Sequence, residues 1–107
     1  MSLVTLGKKI LQEVMMPTRE EVEQQLISVL IQIQELSGRE VPKITVDLCP
    51  MLDLDGFESI NAAEATAMLA DELRLKIKDI PFFPKADQQP LTITQIAENI
   101  LRADSAE

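Results

Sequence analysis

In this 107-residue chain the segment Gly56-Phe57-Glu58-Ser59-Ile60 offers a hydroxyl suited to carrying an attached group. A serine at a helix start exposes its hydroxyl at the positive end of the helix dipole, where free backbone N–H groups favour an anion. A phosphodiester carried on Ser59 would be stabilised there, and Gly56 lets the chain turn sharply just before it. The same geometry also describes an ordinary N-cap serine, which stabilises a helix by about 1 kcal/mol. Physics alone favours that plainer role.

Other chemistries find less support. The chain contains no His, which removes Ser-His and Cys-His nucleophile pairs, imidazole acid/base work and most zinc sites. Asp53-Leu54-Asp55-Gly56 has the opening of a calcium loop, but Gly stands at the fourth place instead of the sixth and a third oxygen ligand is missing before it. Cys49 is the one cysteine, so no intramolecular disulfide can form and a reducing, cytoplasmic setting is expected. No basic residue lies nearer to it than Lys43, so it reads as a structural thiol.

The elements that must position Ser59 are helical. Only three residues are aromatic, all Phe, so the core must be aliphatic, which suits close helix packing better than a sheet sandwich. Thr18 and Glu21 form a capping box ahead of the stripe Val22, Leu26, Val29, Leu30, Ile33, Leu36, and Ser37-Gly38 ends it; a helix over 18–37 is expected. Residues 38–57 read as a long loop, in which Ile44, Val46 and Leu48 form a short strand or, preferably, pin an ordered loop to the core. The Ala-rich stretch 59–75 is the clearest helix, with Ser59 at its N-cap and Ala63, Ala67 and Ala70 offering close approach to a neighbour. Pro81, Pro84 and Pro90 leave room for at most one short helical turn in 78–91, where Phe82 and Phe83 are expected as core plugs. Thr92 and Gln95 cap a last helix with the stripe Ile93, Ile96, Ala97, Ile100, Leu101. The domain is therefore placed at 17–103, with a fraying tail at 104–107 and an N-terminal extension at 1–16, helical or without fixed structure.

Charge constrains the partners. The net charge of −8 disfavours nucleic acid and anionic membranes, and no apolar stretch reaches the roughly 18–20 residues of a spanning helix. Lys8 and Lys9 interrupt the apolar Met1–Met16 stretch, so no export signal is read. Residues 47–79 hold eight acids against three bases; on charge alone this is a solvated face, with a docking surface for basic partners as the sharper reading.

The segment Gly56 to Ile60 resembles the Gly-x-Asp-Ser-Leu site of acyl carrier proteins. Glu64, Leu69, Leu73 and Ile77 resemble that family's second helix in register, Leu52-Asp53-Leu54 its loop approach, and Leu91-Thr92-Ile93 the start of its last helix. The resemblance covers about residues 18–102. It implies an all-α, acyl-carrier-like four-helix bundle with a short third helix and a long first loop. It also implies a 4′-phosphopantetheine arm on Ser59, attached by a phosphopantetheinyl transferase, whose thiol holds acyl or related groups as thioesters. The chain would not be an enzyme: it would present cargo to acyl-transferring or acyl-activating enzymes with basic patches, docking through Glu58, Ile60, Glu64, Asp71 and Glu72. Glu58 stands where the family usually has Asp, Ile60 where it usually has Leu, and the 78–91 segment is long. These departures point to a specialised fatty-acid, polyketide or other secondary-metabolite carrier. They also leave an alternative, a carrier-like helical interaction module that is never modified.

Overall fold

The computed structural model describes residues 17–84 and 89–105, so the reading of 1–16 falls outside the described residues. Among those residues there are four helices and no strand: α1, Arg19–Leu36; α2, Pro50–Asp53; α3, Ser59–Leu73; and α4, Ile93–Ser105. The described residues are therefore all-helical in class, as the composition implies. None of these helices is long and apolar enough to cross a membrane.

Both expected capping boxes form. Thr18 Oγ1 accepts from the Glu21 N–H at 3.1 Å, and Glu21 Oε1 accepts from the Thr18 N–H at 2.8 Å. At α4 the same exchange links Thr92 and Gln95, at 2.9 and 3.2 Å. Each box satisfies N–H groups that a helix start otherwise leaves without partners. α1 ends where Gly38 adopts φ +73°, and the Arg39 N–H reaches back to the Gln34 carbonyl at 2.9 Å. That is the Schellman closure, which favours glycine.

α1 packs against both α3 and α4. Val22, Leu26 and Leu30 of α1 meet Ala62, Ala65 and Leu69 of α3 and Ile93, Ile96 and Ile100 of α4 in a core of fully buried side chains. Glu23 is also buried on this side of α1; its carboxylate accepts from Thr94 Oγ1 at 2.8 Å and lies 3.6 Å from Arg19 Nε. These partners satisfy a charge whose burial would otherwise be costly.

The segment between α1 and α2 is an ordered loop and not a strand. Ile44, Val46 and Leu48 lean on the core, as preferred from the sequence. Their backbone adds a second tie, because the Val46 and Leu48 carbonyls accept from the Thr94 and Ile93 N–H groups at 3.1 and 3.0 Å. The loop thereby satisfies amides at the start of α4.

Several expectations need correction. The short helix comes second in chain order, at Pro50–Asp53, and no helical turn occurs among the described residues between α3 and α4. Pro50 at the first helical position starts α2, since its fixed φ suits a helix N-terminus. Leu36 is 80% exposed, and Gln34 occupies the core side of α1 instead. Phe82 is fully buried but Phe83 is 41% exposed, so only one of the pair plugs the core. Ala63 and Ala67 are exposed, and the alanines that admit the neighbouring helix are Ala62 and Ala65. α4 itself runs from Ile93 to Ser105.

α3 ends at Leu73, not at 75, because its C-cap Arg74 turns left-handed at φ 56°, ψ 44° and the Leu75 N–H closes onto the Ala70 carbonyl at 3.1 Å. A residue with a Cβ is disfavoured there by about 1–2 kcal/mol. Arg74→Gly is expected to stabilise the domain by about 0.5–1 kcal/mol. Thermal unfolding followed by circular dichroism should show a midpoint a few degrees higher, and an unchanged or lower midpoint refutes this account of the helix end.

Candidate functional site

Ser59 is exposed at the first helical position of α3. It is not the N-cap. That position belongs to Glu58, whose backbone is extended and whose N–H donates to Asn61 Oδ1 at 2.9 Å. Asn61, three residues on, supplies the half of a capping box that satisfies the N-cap's own N–H. The Ser59 hydroxyl is therefore not tied up as the helix cap, and it stays at the positive end of α3.

The approach to Ser59 is a tight turn pinned from below. The Phe57 N–H donates to the Leu54 carbonyl at 3.3 Å. Leu54 and Phe57 on either side of the turn are buried in the core. Gly56 lies between them at φ +68°, a conformation that excludes most residues with a Cβ. Phe57 also meets Phe82 at a ring-centroid distance of 5.8 Å and an interplanar angle of 41°. A tilted pair at that spacing adds to the burial of both rings. The segment between α3 and α4 thus reaches under the site through Phe82.

Two residues not anticipated from the sequence complete the turn. Gln34 is fully buried near the end of α1; its Nε2 donates to the Asp55 carbonyl at 2.8 Å, and its Oε1 accepts from Arg39 Nη1 at 3.2 Å. Arg39 lies along Gly56 so closely that a Cβ on that glycine would stand 2.8 Å from its Nε, 3.0 Å from its Cζ and 3.2 Å from its Cδ. A signal for Gln34 existed, since it continues the row Leu26, Leu30 at helical spacing. Nothing local marks Arg39.

The five expected docking residues, Glu58, Ile60, Glu64, Asp71 and Glu72, are all exposed. Ile60 shows 75% of its surface. They do not converge on a pocket. Ile60, Glu64 and Asp71 follow one face of α3, and Asp71 lies about 16 Å along the axis from Ile60 at the usual helical rise. Asp71 and Glu72 instead border a groove of about 440 Å³ between α1 and α3, with Gln25, Ser28, Gln32 and Met68.

Cys49 lies partly buried beside α2, with its N–H on Asp53 Oδ2 at 2.8 Å and its Sγ 3.7 Å from the Pro90 carbonyl. Burial, and secondarily the Asp53 carboxylate, push its thiol above the ordinary range. The folded state therefore prefers the neutral thiol. The stability linked to this is complete below the ordinary thiol range and is lost only as pH rises through the raised value. The same contact gives the Asp53 carboxylate a capping role at α2. Comparison with protein-family models, curated proteins and solved structures finds no match to this chain.

Proposed function

We propose that the chain is an acyl carrier protein bearing a 4′-phosphopantetheine arm on Ser59. The observation that carries the reading is an exposed serine hydroxyl at the first residue of α3, held on a turn whose flanking side chains are buried. The residues present suit such an arm. An anionic phosphodiester at Ser59 would lie at the positive end of the helix dipole, and the site opens to solvent, leaving a long flexible group free to move. When attached, the arm supplies a terminal thiol that holds acyl or related groups as thioesters.

The chain's own part is presentation, without catalysis. α3 offers partners Glu58, Ile60 and Glu64 beside the serine, with Asp71 and Glu72 farther along. Exposed carboxylates on a chain of net charge −8 favour encounter with basic surfaces, both on the arm-attaching transferase and on acyl-transferring or acyl-activating enzymes. The acyl-carrier-like bundle belongs to this proposal, with its short helix at Pro50–Asp53 as a departure. A specialised cytoplasmic fatty-acid, polyketide or secondary-metabolite pathway is the setting proposed.

The test is intact mass after incubation with coenzyme A, magnesium and a promiscuous phosphopantetheinyl transferase. Wild type is expected to gain one arm and Ser59→Ala none. No gain on folded wild type overturns the reading and favours an unmodified interaction module.

A further inference from the structure

We propose that Arg39 is a positioning residue for Ser59, acting through the turn at Gly56; this rests on the reading of Ser59 as the arm-bearing serine. Arg39 begins the loop after α1 and is twenty residues from the serine in sequence, yet its Cδ–Nε–Cζ edge lies against Gly56. Two bonds hold it there. Its backbone N–H donates to the Gln34 carbonyl at 2.9 Å, and its Nη1 donates to the Gln34 side-chain oxygen at 3.2 Å. Gln34 is itself fully buried, and its other amide atom is bonded to the Asp55 carbonyl. Gln34, Arg39 and Gly56 therefore interlock, and the end of α1 sets the path of the residues that lead into α3.

The choice of arginine fits this role. The chain carries 18 acidic residues, yet no carboxylate among the described residues pairs with Arg39, whose guanidinium is directed to an amide oxygen and a glycine. A planar guanidinium can cover a backbone and donate a directed bond at once, which an ammonium cannot. The interlock keeps the turn ordered before any partner arrives. A turn that had to be ordered during docking would weaken binding without altering the chemical step.

The test compares wild type, Arg39→Ala and Arg39→Lys in two measurements. Amide hydrogen exchange by NMR reads the Phe57 N–H, which closes the turn, against Leu30 and Ile33 in the core. Arg39→Ala is expected to speed Phe57 exchange about tenfold while the core amides stay within about twofold. Arg39→Lys, which keeps a donor but not the plane, should fall between. In arm-attachment kinetics with the same transferase, Arg39→Ala should raise KM about tenfold with kcat held within about twofold.

Unchanged Phe57 exchange overturns the proposal. So does equal acceleration throughout the core, which marks general loss of stability. A raised KM without faster Phe57 exchange overturns it as well, since Arg39 would then be a direct transferase contact. If wild type takes no arm while Phe57 responds as expected, the interlock stands and the carrier reading fails.

Discussion

Phe82→Ala is expected to lower the free energy of unfolding by about 3–5 kcal/mol, the range for deleting a buried aromatic ring. Small domains hold only about 5–15 kcal/mol in total, so this one change removes a large share of the stability. Two features set the size. Phe82 is fully buried, and the ring it meets, Phe57, belongs to the turn before Ser59. Its removal leaves a cavity beneath the site and not in a remote corner. Phe83→Ala, at a position 41% exposed, should cost far less. Urea unfolding followed by circular dichroism measures both, since the chain has neither Trp nor Tyr to report by fluorescence. A loss below about 1 kcal/mol for Phe82→Ala contradicts the packing described, as core truncations of this kind cost several times that.

The contrast between Phe82 and Phe83 also marks where sequence reading stops. Helices α1 and α4 were legible because their signals are local. Thr18 with Glu21, and Thr92 with Gln95, sit three residues apart and satisfy each other whatever the rest of the chain does. The irregular segment carrying the two phenylalanines has no period, so nothing in it says which ring turns inward; Phe57 and α4 decide that from a distance. Asn99 Nδ2, for example, donates to the Pro81 carbonyl at 3.4 Å.

The candidate site divides in the same way. Ser59 at the head of a helix, and a glycine allowing the turn before it, could be read from spacing. The cap lies one residue earlier than the spacing suggests, at Glu58, whose N–H is satisfied by Asn61 Oδ1. Gln34 continues the row Leu26, Leu30, but a glutamine among apolar residues reads as a break in the stripe. Its burial is explained by the Asp55 carbonyl, which lies 21 residues away in sequence, and by the Arg39 guanidinium just past the helix end.

Gly56→Ala supplies the second large effect, and its size follows from comparison with Gly38. Both glycines have positive φ, +68° and +73°, so alanine at either pays the left-handed cost of about 1–2 kcal/mol. At Gly38 a Cβ would meet nothing within 4 Å, and Gly38→Ala should cost that amount alone. At Gly56 the Cβ would stand 2.8 Å from Arg39 Nε, too close for any real contact. The guanidinium can swing away, since it is the end of a flexible side chain, but in doing so it gives up its bond to Gln34. A hydrogen bond to a charged group contributes about 1.5–3 kcal/mol, so Gly56→Ala is expected to cost about 2.5–5 kcal/mol altogether. The double variant Gly56→Ala with Arg39→Ala removes the clash. It should cost less than the two single changes added together, by about 1 kcal/mol or more, as expected for residues in contact. Strict additivity in urea unfolding would mean that Arg39 does not lean on Gly56, and the path from the end of α1 to Ser59 would have to run through the Gln34 bond to the Asp55 carbonyl alone.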